Sequence, residues 1–187
     1  MTSMTGKVVV NRTMSLDGFI AGPGGRMDWG GARPLAAFID PDDIAVIAAT
    51  TGSMLVGRNT WEVGESMKAE ASDGPDYPFA GPMFLLTHRP LDKPDPGVTI
   101  LSGDIEAAVA TALEAAGGKD VEILGANVAG QALDRGLVDE ILVYVLPIVL
   151  GDGVRFAPPG TSRVDLEPIS SKRSGDATIL RFRVRDR

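Results

Sequence analysis

Short apolar runs recur along this chain, and most stop at a glycine or a turn before a segment with helical period. Residues 7–14 (KVVVNRTM) open with three consecutive valines, as expected of a strand buried on both faces. Residues 15–21 (SLDGFIA) continue that strand until Gly22-Pro23-Gly24-Gly25 breaks it. The glycine-rich segment 22–33 carries one large ring near its middle, Trp29. It reads either as a loop that closes over a ligand or as one pinned to the core by that ring. Asp40-Pro41-Asp42-Asp43 marks a helix start, with acids at the positive end of the dipole, and the helix runs through Ile44, Val46, Ile47 and Ala48 towards Thr51. Capping explains those acids, and a catalytic role for Asp42 or Asp43 is the lesser reading.

Residues 53–56 (SMLV) form the next strand, ending at Gly57, with Asn59 or Thr60 as the start of a helix. Residues 67–82 are polar and turn-rich, a surface excursion. Residues 83–87 (MFLLT) give a third strand, followed by His88-Arg89-Pro90, and residues 98–101 a fourth. Residues 104–116 are amphipathic, with Ile105, Val109, Ala112 and Leu113 on one helical face and Gly117 beyond the end. Val121-Glu122-Ile123-Leu124 then runs into Gly125-Ala126, and a helix begins behind Asn127, a candidate N-cap. Two small residues at that turn let a ligand approach the backbone, where free N–H groups and the helix dipole favour phosphate. An ordinary strand-to-helix connection asks for the same small residues, and the G-x-G-x-x-G fingerprint is only partly filled.

Residues 137–146 lead into a long strand, interrupted by Pro147. Near the end of the chain Val164 and Leu166 alternate with Asp165 and Glu167, while Leu180, Phe182 and Val184 alternate with Arg181, Arg183 and Arg185. Paired strands would set acids against arginines, at ~0.2–1 kcal/mol per favourable pair. Strands alternating with helices and closing on two strands predict one α/β domain over residues 1–187, with a mostly parallel sheet and an antiparallel edge.

Composition narrows the chemistry. With no cysteine and His88 the only histidine, thiolate metal sites, most zinc sites and Ser-His-Asp schemes drop out, so no metal is expected. A net charge of −7 argues against nucleic acid or an anionic membrane as partner and asks any anionic small molecule to find a local basic pocket. There is no apolar segment long enough to span a bilayer and no visible signal peptide, which points to a cytoplasmic protein.

Ligands of open α/β sheets bind outside the carboxyl ends of the strands. Three such ends carry suitable groups here: Gly57-Arg58-Asn59-Thr60, Thr87-His88-Arg89 and Gly125-Ala126-Asn127. Two offer helix N-termini and two a guanidinium, which together suit a ligand with several phosphates, and no G-x-x-x-x-G-K-[ST] loop is present.

Gly57-Arg58-Asn59-Thr60-Trp61-Glu62 resembles the G-R-x-T-W-E segment of dihydrofolate reductases, and Ser15-Leu16-Asp17-Gly18-Phe19-Ile20-Ala21 resembles their first-strand motif. Leu137-Val138-Asp139-Glu140, Leu146-Pro147 and Leu150-Gly151-Asp152-Gly153 are more similar to the reductase domain of the bifunctional riboflavin-biosynthesis deaminase-reductase. The resemblance covers residues 7–184. It implies a dihydrofolate reductase-like α/β fold of about eight strands with helices on both faces, NADPH across the strand ends, hydride transfer to a small heterocycle (pteridine- or pyrimidine-like), and a possible homodimer. By the same resemblance Gly57, Arg58 and Thr60 would lie against phosphates, and Thr87, His88 and Arg89 against the adenosine 2′-phosphate. Gly125, Ala126, Asn127 and Val128 would hold the pyrophosphate and the neighbouring ribose. Asp17 and Trp29 are the expected substrate contacts. The carboxylate that dihydrofolate reductases use near this point is missing from residues 33–38 (RPLAAF), so efficient dihydrofolate reduction is not expected and Asp28 is the candidate proton donor. A nucleotide-binding protein without turnover, or a reductase using a flavin or deazaflavin, are the competing expectations.

Overall fold

The computed structural model describes residues 6–70, 79–89, 91–92 and 95–185. The valine run forms β1 (Val8–Ser15), and all three valines are buried because the strand has parallel neighbours on both sides and packed layers on both faces. The continuous strand expected over residues 7–21 is instead broken at residues 16–18. Gly18 adopts φ +91° there, and its N–H donates to the Ser15 carbonyl (3.0 Å). β2 (Phe19–Ala21) therefore leaves the main sheet.

Two short 3-10 turns follow, Pro23–Gly25 and Leu35–Phe38. α1 (Pro41–Thr50) starts where its proline and acids place it, with the Asp40 carboxylate accepting from the Asp42 N–H (2.9 Å). β3 (Thr51–Gly57) leads straight into α2 (Arg58–Glu70), which begins a residue before the start expected and continues into the excursion read at 67–82. Residues 71–78 of that excursion, residues 1–5 and Pro90 lie outside the described residues.

β4 (Met83–Leu86) and β5 (Val98–Leu101) precede α3 (Ile105–Ala115), capped by Asp104, whose carboxylate accepts from the Ala107 N–H (2.8 Å). The remaining elements are β6 (Asp120–Leu124), α4 (Ala126–Asp134), β7 (Glu140–Leu146), β8 (Val154–Arg155), β9 (Leu166–Ser174) and β10 (Ala177–Val184).

Eight strands form one sheet in the order β5-β4-β3-β6-β1-β7-β10-β9, and β2 pairs with β8 apart from it. The six strands from β5 to β7 run parallel, while β10 is antiparallel to both β7 and β9. β9 extends well past the alternation at residues 164–167, since β10 offers it a ladder along its whole length even where its side chains are exposed. Of the expected acid–arginine pairs, Arg183 faces Glu167 in register (3.5 Å), whereas Arg181 reaches across to Glu140 on β7 (2.6 Å).

Side chains of the sheet alternate between two cores. Val8, Val10, Leu55, Ile123, Ile141 and Val143 pack with α3 and α4. Val9, Leu142, Tyr144 and Ile179 pack on the opposite face with Phe38, Ile39 and the α1 residues Ile44 and Ile47. Leu55 and Ile123 have no exposed surface, and truncating either to alanine removes ~2–5 kcal/mol.

The connections decide where a ligand can enter. α2 carries the chain from β3 outwards to β4, whereas α4 carries it from β6 past β1 to β7. Right-handed crossovers in opposite directions place the two helices on opposite faces. The reversal falls between β3 and β6, and a crevice opens at their carboxyl ends.

Candidate functional site

β3 and β6 are parallel neighbours, with Leu55 opposite Ile123 and Val56 opposite Leu124. The first turns of α2 and α4 therefore stand side by side, and each leans on the other's glycine. A Cβ on Gly57 would lie 2.8 Å from Val128 Cγ2, and one on Gly125 would lie 2.8 Å from Thr60 Oγ1. Gly125 also sits at φ +104°, where L residues are strained. Gly125, not Asn127, is the N-cap of α4. Asn127 lies inside the first turn, and its Oδ1 accepts from Gln131 Nε2 (2.6 Å). Having no side chain, Gly125 cannot cap the N–H groups of Ala126, Asn127 and Val128, which carry the positive end of the helix dipole.

Arg12 belongs to the same place, although no motif singles it out. The one sequence signal is parity: it falls on the same side of β1 as Val8 and Val10, a core position that ordinarily takes an apolar residue. Its residue is 6% exposed. Nη1 donates to the carbonyls of Asn11 (2.7 Å) and Ile123 (2.5 Å), and Nη2 to that of Gly125 (3.0 Å). Nε is buried without a partner. Burial pushes its pKa down to about 10, against the raising effect of the Glu122 charge, so Arg12 remains a cation at neutral pH.

At the end of β4, Thr87 is buried while His88 and Arg89 are exposed. The Thr87 hydroxyl serves its own turn, accepting from the Arg89 N–H (3.2 Å). Arg58 is mostly buried. Its Nε donates to Glu62 Oε1 (2.5 Å) and its Nη1 to the Arg89 carbonyl (2.8 Å). Arg58 thus ties the start of α2 to residues 87–89, beside the exposed side chain of Arg89, which has no ion pair among the described residues.

The residues expected at the substrate are each engaged within the fold. Asp17 Oδ1 accepts from Ser15 Oγ (2.7 Å) and the Leu150 N–H (2.9 Å), and Oδ2 from the Gly151 N–H (2.7 Å). These bonds, led by that from Leu150, hold its pKa at about 2. Asp17 is a clasp between the β1–β2 turn and residues 150–151. Trp29 packs against the core on the α1 face, so the loop is pinned by its ring, although its buried Nε1 has no partner. Asp28 is exposed and paired with Arg26 (2.7 Å), which holds its carboxyl below the usual range. An ionised surface carboxylate is a poor proton donor at neutral pH, which weighs against the role expected of Asp28. Asp43 is likewise engaged, bound by Lys172 and Ser174.

Residues 6–180 match the RibD C-terminal domain family. The chain belongs to this family. The chain is also similar to the uncharacterized protein YwjB of Bacillus subtilis (strain 168), 25% identical over 182 residues, with 96% of this chain and 98% of that protein covered. Among solved structures, a putative riboflavin biosynthesis protein from Shewanella sp. PV-4 superposes with a TM-score of 0.77 at 26% identity, covering 96% of this chain and 99% of the other. Dihydrofolate reductase from Enterococcus faecalis, solved with NADP(H), has a TM-score of 0.60 at 15% identity over 97% and 98% of the two chains, a likeness of fold. The RibD C-terminal fold is thus dihydrofolate reductase-like here, and membership supports an oxidoreductase of the riboflavin-biosynthesis reductase kind. Among the described residues no cluster of three or more His, Asp or Glu side chains could hold a metal, and no helix is long and apolar enough to cross a membrane.

Proposed function

We propose that this chain is an NADPH-dependent reductase of a small, flat heterocycle of the pteridine or pyrimidine class. The observation that carries the reading is the meeting of two helix N-termini over Gly57 and Gly125, where a Cβ on either glycine would strike the other element at 2.8 Å. Such a junction keeps backbone N–H groups accessible to a diphosphate. The exposed Arg89, on a turn braced by Arg58, supplies a fork for a further phosphate about the end of β4. When bound, the cofactor supplies the hydride. The chain's own part is to bind, orient and exclude water, and the rate advantage of positioning requires the crevice to be rigid. The packing of Thr60 on Gly125 and of Val128 on Gly57 favours that rigidity.

The ionised, paired state of Asp28 favours one second reading, a nucleotide-binding protein without steady turnover. The two readings separate in one experiment. The purified protein is titrated with NADPH, NADH, FMN and a deazaflavin, and oxidation of the bound nicotinamide is then followed over a panel of pyrimidine and pteridine substrates. Tight NADPH binding with turnover on at least one substrate is expected. Binding without oxidation of NADPH on any of them supports the second reading, and preferential flavin binding refutes both.

A further inference from the structure

We propose that Arg12 is the buried cation of the cofactor's diphosphate site, a positioning residue that acts through the peptide unit joining Gly125 to Ala126. The inference rests on the reading of the crevice as a nucleotide site and adds to it a residue that no surface motif would reveal. The Gly125 carbonyl is fixed from two sides, by Arg12 Nη2 (3.0 Å) and by the Ala129 N–H (3.0 Å) of the first helical turn. In a planar trans peptide unit the C=O and the next N–H point in opposite directions. Holding the Gly125 oxygen towards Arg12 therefore turns the Ala126 N–H away from Arg12, on the uncapped end of α4.

Charge gives the second part of the argument. Among the described residues, every hydrogen bond of the Arg12 side chain goes to a carbonyl oxygen and none to a carboxylate. The acid that influences it most, Glu122, lies on the other side of the sheet, since it alternates with the core residues Val121 and Ile123 that share the Arg12 face. A guanidinium removed from water without a bonded counter-ion is costly to bury. An anion at the end of α4 supplies the missing opposite charge, and Nε, buried without a partner, leaves the guanidinium incompletely satisfied by the protein alone.

The prediction is specific to the part of the ligand that both nicotinamide cofactors share. Arg12→Met should weaken NADPH and NADH alike, by about tenfold or more. Arg12→Lys, which keeps the charge, should stay within a few-fold of the unaltered protein for both. Thermal unfolding is recorded for each variant. Because Arg12→Met could fail to fold, a measurement on the unaltered protein stands beside it: the side-chain Nε–H resonance of Arg12, followed by NMR during NADPH titration, should shift with the binding isotherm. Unchanged affinity in a folded Arg12→Met, equal losses in the Met and Lys variants, or an Nε–H resonance that does not move at saturation would each overturn the proposal. If the unaltered protein binds neither cofactor, the nucleotide reading fails first, and the two failures are thereby distinguished.

Discussion

Thr60 Oγ1 stands 2.8 Å from the point a Cβ of Gly125 would occupy. The first turn of α2 and the N-cap of α4 are thus in contact across the β3–β6 boundary, and any side chain at residue 125 would push them apart. Because Gly125 also holds φ +104°, Gly125→Ala combines a steric clash with backbone strain, together ~1–3 kcal/mol. Its melting temperature should fall, with a larger fall in NADPH affinity. Adding Thr60→Ala removes the clash but not the strain, so the double variant should recover only part of the loss. Full recovery in thermal melts would show that φ at Gly125 is unimportant.

Arg89 and Arg58 should separate in a cofactor comparison. Arg89 is exposed, whereas Arg58 is bonded to Glu62 and to the Arg89 carbonyl. Arg89→Ala is expected to weaken NADPH several-fold or more while leaving NADH nearly unchanged, because only NADPH carries the 2′-phosphate. Added salt should shrink the preference of the unaltered protein. Arg58→Ala should loosen the turn at residues 87–89 and lower the melting temperature as well. Fluorescence titration with both cofactors decides this, and equal losses of the two in Arg89→Ala would remove it from the 2′-phosphate.

The junction of β3 and β6 was the readable part of this chain, for a physical reason. Gly57 and Gly125 end apolar runs at abrupt turns, and a turn with no room for a Cβ leaves a composition signal. The mostly parallel sheet, its antiparallel edge and the helix start at Asp40-Pro41 followed likewise from periodicity and turn chemistry. The break at Gly18 was hidden because residues 15–21 stay apolar enough to look like a strand. What Asp17 does depends on two N–H groups 133 and 134 residues away, at Leu150 and Gly151, which no local pattern contains. Arg12 shows the same limit: within a strand only its parity speaks, while its partners come from β6 and the cap of α4. Asn127 looked like an N-cap because its chemistry suits one, but the helix starts at the residue after Gly125.

Asp17→Asn offers a test by pH. The native carboxyl titrates near 2, below its ordinary value of 3.8. A depressed native pKa stabilises the fold above the unfolded value, and this contribution fades as pH falls from about 3.8 through about 2. The variant should therefore melt lower than the unaltered protein at neutral pH, with the gap closing across that acidic window. A gap independent of pH would mean the clasp acts through shape rather than charge.

Asp28→Asn should leave turnover on any accepted substrate unchanged at neutral pH, since the Asp28 carboxylate is exposed, ionised and paired with Arg26. Dihydrofolate itself should be a poor substrate, with kcat/KM below the ~10⁴ M⁻¹s⁻¹ at which ordinary enzymes begin. A hundredfold loss of kcat in Asp28→Asn would restore it as the proton donor.

A crystal structure of the protein with NADPH bound is the most direct test of the nucleotide site. The expected result places the diphosphate within hydrogen-bonding distance of the first-turn N–H groups of α4, residues 126–128, and the 2′-phosphate beside Arg89. A cofactor seated away from the β3–β6 boundary, or a diphosphate that touches none of those N–H groups, would contradict the account.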